Sequence, residues 1–304
     1  MRIAVIIPAL NEEITIAKVV ADFKRELPEA EIIVFDNNST DNTAKLARKA
    51  GARVIHYKKR GKGNVMQGAF EIIDSGIYVI VDGDDTYPAE AVHKLLKPVL
   101  ENKADMAVGC RMGNFRKEEK TLLHNIGNHF ILAMLKFCFP TGIQDMLSGF
   151  RVMTRGLVKN LNLLSPGFSI EAELTIKALE EDYRIVEVPI DYRPRPKGSR
   201  SKLDSFSDGM YILTTIMSLF RDYRPMQFFM LMSMVPFALT VGFGVNIVVE
   251  LLRTGSIGRI ATFIMALFSL IMTFMLLFIG FLASSVHQSR RELLHMLKKI
   301  RNSV

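Results

Sequence analysis

The chain has 304 residues, of which 49% are hydrophobic and 23% are charged, and its net charge is +8. This length supports one large or two small domains with a real core, so a disordered chain is excluded. The two cysteines, Cys110 and Cys138, are too few and too far apart for a disulfide framework or a cysteine-rich zinc site.

The first half of the chain alternates short β-branched runs with helical patterns, which is typical of βαβ units around a mainly parallel sheet. Strands are predicted at residues 3–7, 31–35, 53–55, 78–81 and 106–108. Helices are predicted at 12–26, 40–50, 62–74 and 89–101, the second of them capped by Ser39 or Asn38. Ligands of such sheets bind at the carboxyl ends of the strands, so the segments after the strands form the predicted site.

Polar segments follow three of these strands. They are Pro8-Ala9-Leu10-Asn11-Glu12, Asp36-Asn37-Asn38 and Asp82-Gly83-Asp84. No Gly-x-Gly-x-x-Gly motif follows the first strand and no P-loop motif is present, which excludes the usual dinucleotide and P-loop sites. Asp36 is placed to bind a ribose hydroxyl, as an acid at the end of a second strand does in nucleotide-binding folds.

Asp82 and Asp84 are two carboxylates with a glycine between them at a strand end. Alone, this pattern is ordinary turn chemistry. Together with Asp36 and Glu12 at neighbouring strand ends, it favours a site for Mg²⁺ or Mn²⁺, which bind hard oxygen ligands and neutralise a diphosphate.

Two uncharged runs, residues 226–249 and 260–286, are long enough to cross a bilayer. Spans are predicted at 226–252 and 258–286, and basic residues on their outer flanks predict a cytosolic domain at 1–222 and a cytosolic tail at 287–304. The N-terminal apolar run has no small-residue cleavage site, so a signal peptide is not expected. The predicted location is therefore the cell membrane, with both termini in the cytosol.

The positive charge is local, because residues 193–202 carry +5 and residues 287–304 carry +4. Basic segments beside apolar ones favour anionic lipid or lipid phosphate over nucleic acid. Two further segments, near 122–139 and 205–222, fit either interfacial helices or core helices, and their periodicity does not separate these alternatives.

The motifs, in their order along residues 2–225, resemble those of family 2 glycosyltransferases of the GT-A fold, in particular the polyprenyl-phosphate group that includes dolichol-phosphate mannose synthase. The segments that carry the resemblance are Pro8 to Glu13, Asp36 to Asp41, Gly61 to Gly63, Asp82 to Asp84, Ser148 to Arg151 and Gly198 to Leu203. The resemblance implies a Rossmann-like α/β catalytic domain followed by a transmembrane helix hairpin. It also implies inverting, metal-dependent sugar transfer from a nucleotide sugar to a polyprenyl phosphate.

The resemblance further implies roles for individual residues. Those expected to bind the donor are Pro8, Ala9, Leu10, Asn11, Glu12, Asp36, Asn38, Lys62, Asp82, Gly83, Asp84 and Arg111, with Asp82 and Asp84 as ligands of Mg²⁺ or Mn²⁺. Those expected at the acceptor phosphate are Arg151, Glu171, Arg193, Arg200 and Lys202. Asp145, Asp84 and Arg151 are the expected catalytic residues.

Several alternatives stay open at this point. Asp145 is either a general base or a positioning group, Glu171 also suits a first helical turn, and the stretch from Arg193 to Lys202 also suits simple attraction to anionic lipid. Relatives carry a Gln where this chain has Thr86, so Thr86, Asp85 or water completes the metal shell, and the sugar is left open between UDP-sugars and GDP-mannose.

Other functions also stay open. The acceptor could instead be a diacylglycerol or a protein, and the chain could be an inactive nucleotide-sugar-binding scaffold. A processive polysaccharide synthase is disfavoured by two spans and the lack of Trp. Small residues in the spans permit association of several copies through the membrane helices.

Overall fold

The computed structural model describes residues 2–111, 131, 133–139, 142–196, 198, 207–256 and 258–303. The chain divides into two compact units, residues 1–216 and 217–304. The predicted acceptor residues Arg200 and Lys202 lie outside the described residues, as does most of the segment 122–139. The part of that segment at 133–138 is helical, with Leu135 buried and Phe137 exposed.

The strands of the first unit are β1 (Ile3–Ala9), β2 (Glu31–Asp36), β3 (Arg53–His56), β4 (Ile77–Ile80), β5 (Met106–Cys110), β6 (Arg151–Thr154) and β7 (Ile185–Pro189). In the described part of the chain they form one sheet of order β3-β2-β1-β4-β6-β5-β7. β6 runs antiparallel to β4 and β5, and the other neighbouring strands are parallel. The predicted mainly parallel sheet is confirmed, whereas β6 and β7 were not predicted.

The described helices are α1 (Ile16–Glu26), α2 (Thr43–Lys49), α3 (Lys62–Ile72), α4 (Val92–Leu100), α5 (Arg155–Asn160), α6 (Ile170–Glu180), α7 (Ser207–Tyr223), α8 (Pro225–Thr254) and α9 (Ile260–Ser303). The predicted cap of α2 at Ser39 or Asn38 is wrong, because the helix begins after Asn42. The Ser39 hydroxyl instead accepts a hydrogen bond from the Asn11 backbone N–H at 3.0 Å, and Asn38 is in the left-handed region.

Both faces of the sheet are buried. On β1, Val5 and Ile7 point into the core that contains α1 and α4, while Ala4 and Ile6 point into the core that contains α3 and α6. Because successive side chains of a strand face opposite sides, a strand covered on both faces reads as a continuous apolar run. This arrangement leaves the carboxyl ends of the strands as the place where polar groups collect.

Close backbone packing fixes the start of α3. Gly61 has a φ of +114°, and the backbone N–H of Asn64 donates to the carbonyl of Pro166 at 3.1 Å. A Cβ atom on Gly63 would lie 1.9 Å from the backbone oxygen of Ser165. Only glycine fits at position 63, and this contact sets the position of Lys62 between the two glycines.

The second unit contains α8 and α9, two helices that are long and apolar enough to cross a membrane. Inside this pair, the Thr240 hydroxyl donates to the Ser269 hydroxyl at 2.9 Å. Gly255 follows the last residue of α8, and its φ of +72° ends the helix in the left-handed region. α9 continues as a helix through the basic segment to Ser303.

Replacing Gly63 by Ala will destabilise the first unit by about 2 kcal/mol, because the added methyl group must displace backbone at Ser165. Gly156→Ala is the control, since a Cβ at this helical position meets nothing within 4 Å and Ala favours a helix. The measurement is chemical unfolding followed by circular dichroism. Equal stability of the two variants would contradict the close packing at Gly63.

Candidate functional site

The carboxyl ends of β1 and β2 are joined by hydrogen bonds. The Asn37 backbone N–H donates to the carbonyl of Ala9 at 2.9 Å, and the Thr40 backbone N–H donates to the Asn11 side-chain oxygen at 2.8 Å. The backbone N–H of Glu12 donates to the Thr43 hydroxyl at 2.8 Å. The segments 8–12 and 36–40, predicted as one donor site, therefore lie together.

Asp36 ends β2 and is almost fully buried. Its carboxylate is 2.9 Å from Nδ1 of His56, the last residue of β3. Asn38 stands two residues further on, with its side-chain amide donating to the carbonyl of Lys58 at 2.7 Å. Asp36 is thus held at the edge where a nucleoside would bind in a sheet of this kind.

Lys62 links two acids that are far apart in the sequence. Its Nζ is 2.5 Å from Asp82 and 2.6 Å from Glu171, the second residue of α6. Burial alone would lower the pKa of Lys62, but the charges of Asp82 and Glu171 outweigh it and raise that pKa. Lys62 therefore stays protonated. A Cβ atom on Gly149 would lie 2.4 Å from the Asp82 carboxylate, so glycine at position 149 leaves room for this group.

Asp84 is buried and faces a different cation. Its carboxylate is 2.5 Å from the Arg195 guanidinium, and it accepts a hydrogen bond from the Thr86 hydroxyl at 2.6 Å. Burial and then the charge of Asp82 raise the pKa of Asp84 against the opposing effect of Arg195. The next residue, Asp85, forms an ion pair with Lys18 at 2.7 Å.

Arg111 and Asp145 form a two-pronged ion pair. The Arg111 guanidinium donates to both carboxylate oxygens at 2.7 Å, and its backbone N–H donates to one of them at 3.0 Å. Burial alone would raise the pKa of Asp145, but the hydrogen bonds and charge of Arg111 outweigh it and lower that pKa. The guanidinium also lies 5.6 Å from the ring centre of Tyr192.

Arg151, predicted at the acceptor phosphate, is 1% exposed. Its guanidinium donates to the carbonyls of Ser148, Met146 and Glu171 at 2.9, 2.6 and 3.1 Å and to the Thr175 hydroxyl at 2.7 Å. Burial lowers the pKa of Arg151 to about 10, so the group stays charged at neutral pH. Its contacts in this structure hold the loop before β6, and a direct contact with phosphate stays a prediction.

Arg193 lies on the segment that follows β7. Its backbone N–H donates to the carbonyl of Thr86 at 2.8 Å, and its guanidinium pairs with Glu90 at 2.6 Å. The same segment carries Tyr192 and Arg195, which sequence reasoning did not single out for the site. Their position soon after the end of β7 was the available signal, because residues after a strand end are the ones that reach the site.

The carboxylates of Asp82 and Asp84 are the residues best suited to hold a metal ion. They are hard oxygen donors, and each is balanced by a basic side chain, which shows that this edge attracts positive charge. In the described part of the chain, no group of three or more His, Cys, Asp and Glu side chains is arranged to hold a metal. Mg²⁺ is commonly held by one or two carboxylates together with substrate phosphates, and this pair fits that arrangement.

Comparisons with known proteins point to one family. Residues 4–161 match the model of glycosyl transferase family 2. The chain is 34% identical over 228 residues to glycosyltransferase AglJ of Haloferax volcanii, covering 75% of each chain. It is 32% identical over 222 residues to the dolichyl-phosphate hexose transferase of the same organism, covering 73% of this chain and 95% of the other.

A solved structure shows the same fold. Glucosyl-3-phosphoglycerate synthase from Mycobacterium tuberculosis, in complex with Mn²⁺, uridine diphosphate and phosphoglyceric acid, matches with a TM-score of 0.60 and 26% identity. The match covers 72% of this chain and 78% of that one.

Arg151→Met will destabilise the first unit by about 3 kcal/mol, because it leaves several buried carbonyls without their donor. The control is Arg155→Gln, which removes an exposed arginine four residues away and is expected to change stability little. Chemical unfolding followed by circular dichroism measures both. A fully stable Arg151→Met variant would show that the guanidinium does not hold the loop.

Proposed function

Because the chain belongs to glycosyl transferase family 2, we propose that it transfers a monosaccharide from a nucleoside-diphosphate sugar to a polyprenyl phosphate in a membrane, with inversion at the anomeric carbon. The observation that carries this proposal is the meeting of Asp36, Asp82 and Asp84 at one edge of the sheet, with Lys62 and Arg195 beside them. An acid at the end of β2 suits the nucleoside of a nucleotide sugar, and carboxylates that can hold a metal suit its diphosphate.

The acceptor is proposed from two further observations. The dolichyl-phosphate hexose transferase is named for a lipid phosphate acceptor, and its similarity to this chain covers 95% of that protein and 73% of this chain. The two candidate membrane spans fit a substrate that is anchored in a bilayer. We also propose that the protein lies in the cell membrane, with the catalytic unit and both termini in the cytosol. Association of several copies stays a prediction.

In the proposed reaction, an oxygen of the lipid phosphate forms a bond to the anomeric carbon while the bond from that carbon to the nucleoside diphosphate breaks. Mg²⁺ or Mn²⁺ at Asp82 and Asp84 would neutralise charge on the leaving diphosphate. Lys62 and Arg195, which pair with these carboxylates, bring fixed positive charge to the same place. The leaving group then needs no proton.

The nucleophile needs no strong base, because the second pKa of a phosphate monoester is near 6 and its dianion predominates at neutral pH. The lowered pKa of Asp145 makes this carboxylate a weak base, and both its oxygens accept from Arg111. These observations favour the positioning role of Asp145. In this role Asp145 holds Arg111 where its guanidinium contacts donor phosphate.

The acceptor phosphate is proposed to meet Arg193, Arg200 and Lys202, which belong to one basic stretch after β7. Glu171 is ion-paired with Lys62, so its proposed contribution to acceptor binding is indirect. Of the acceptor residues, Arg193 has the clearest link to the carboxylate pair, through its backbone bond to Thr86.

A transfer assay tests the class of reaction. The purified protein in detergent receives radiolabelled UDP-glucose, UDP-N-acetylglucosamine or GDP-mannose with a polyprenyl phosphate, in the presence of Mg²⁺, Mn²⁺ or a chelator. We expect a metal-dependent lipid product from one donor and a loss of about 100-fold or more in Asp84→Asn, because charge stabilisation of the leaving diphosphate is worth several kcal/mol.

Asp74→Asn is the matched control, because Asp74 is an exposed acid paired with Arg155 away from the site. Its product yield should equal that of the wild type. Transfer to diacylglycerol in place of the prenyl phosphate would overturn the proposed acceptor. Nucleotide binding without transfer to any acceptor would favour the scaffold alternative.

Asp145→Asn is expected to lower kcat about tenfold, because an amide cannot form the two-pronged ion pair with Arg111. Donor binding should persist. The decisive measurement is kcat against pH: the fall below about pH 6 reflects protonation of the lipid phosphate and should be present in wild type and variant alike. A loss of roughly 100-fold or more in kcat across the whole pH range would show that Asp145 is the general base, and unchanged kcat would remove it from the mechanism.

A further inference from the structure

Three side chains form a hydrogen-bonded line at the carboxyl ends of β2 and β3. Arg48 lies on α2, His56 ends β3 and Asp36 ends β2, and Asp36 and His56 stand opposite each other in the register of the two strands. The Arg48 guanidinium is 2.6 Å from Nε2 of His56, and Nδ1 of His56 is 2.9 Å from the Asp36 carboxylate. The mechanism described above uses neither Arg48 nor His56.

The chemistry of arginine fixes the direction of this line. A guanidinium has only donors, so Nε2 of His56 must accept the hydrogen bond from Arg48. The remaining ring proton then lies on Nδ1, which donates to Asp36. Arg48 therefore selects the tautomer of His56 that points a donor at the Asp36 carboxylate.

Asp36 differs in this respect from the other two acids at the edge. Asp82 and Asp84 face Lys62 and Arg195, whereas Asp36 faces an imidazole N–H. The other Asp36 oxygen accepts from the Ser39 backbone N–H at 3.3 Å. Each Asp36 oxygen thus accepts from one donor of the protein, and the lone pairs that remain suit a hydroxyl or N–H group of a ligand.

We propose that Arg48 and His56 are positioning residues of the donor site, which hold Asp36 in the orientation that binds a hydroxyl or N–H group of the donor's nucleoside. The inference rests on the proposed use of a nucleotide sugar. Neither residue touches the reacting atoms, so their loss should weaken nucleotide binding and leave the chemical step unchanged.

The experiment measures the Kd of UDP and GDP by calorimetry on the full-length protein in detergent, together with kcat at saturating donor. His56→Leu should weaken the bound nucleotide about tenfold and leave kcat within about twofold. His56→Asn should recover most of this loss, because its amide nitrogen takes the place of Nδ1 and can donate to Asp36. Arg48→Met should weaken binding about threefold.

The matched control is His93→Leu, because His93 is another half-exposed histidine beside an acid, 3.2 Å from Glu26 and away from the strand ends. It should bind nucleotide like the wild type. In an Asp36→Asn background, His56→Leu should add no further loss, since the effect of His56 passes through Asp36. Additive losses in the double variant, or equal weakness of His56→Asn and His56→Leu, would overturn the inference.

A spectroscopic readout is independent of binding. In protein labelled with ¹⁵N-histidine, the ring nitrogens of His56, assigned by comparison with His56→Asn, should show the tautomer protonated at Nδ1, and Arg48→Met should abolish this preference. A tautomer protonated at Nε2 in the wild type would overturn the inference. A wild type that binds neither nucleotide would overturn the proposed function and the inference with it, whereas normal binding by His56→Leu would overturn the inference alone.

Discussion

Charge balance at one edge of the sheet is the constraint on which the site depends. Asp82, Asp84 and Asp145 lie close to strand ends, and their side chains are 28%, 5% and 14% exposed. A carboxylate removed from water is costly unless a cation or donors face it. Lys62, Arg195 and Arg111 supply this balance. In the proposed reaction the same three cations lie beside the leaving diphosphate, so one set of groups would serve both the fold and the chemistry.

The same constraint explains details of the backbone around Lys62. A lysine can bridge Asp82 and Glu171 only if its backbone is held in place. The close contact of Gly63 with Ser165 fixes the backbone next to Lys62. Glu173 holds the loop at residues 161–169, because its carboxylate accepts from the backbone N–H groups of Leu164 and Ser165. The loop, α3 and the start of α6 thus form one packed support for a single ammonium group.

The sequence was sufficient to predict β1, β2 and the polar segments after them, because buried parallel strands read as apolar runs that end abruptly. It did not predict β6 and β7, because both pair with β5, which is distant from them in the sequence. Long-range partners, such as Lys62 with Glu171, leave no local pattern to read. Arg151 was expected near the acceptor phosphate from the family resemblance, and only the converging carbonyls of the folded loop explain its burial.

The second unit differs from the first in its exposed apolar surface. Its helices expose large apolar side chains such as Phe237, Phe268 and Phe274 over most of their length, as expected of the candidate membrane spans that they are. α9 has 44 residues, more than the roughly 20 that a bilayer needs, so its basic end continues as helix beyond the apolar stretch. The chain therefore joins a unit whose candidate site is built of paired charges to a unit of exposed apolar surface, a combination that fits the proposed acceptor, a charged head group on a lipid tail.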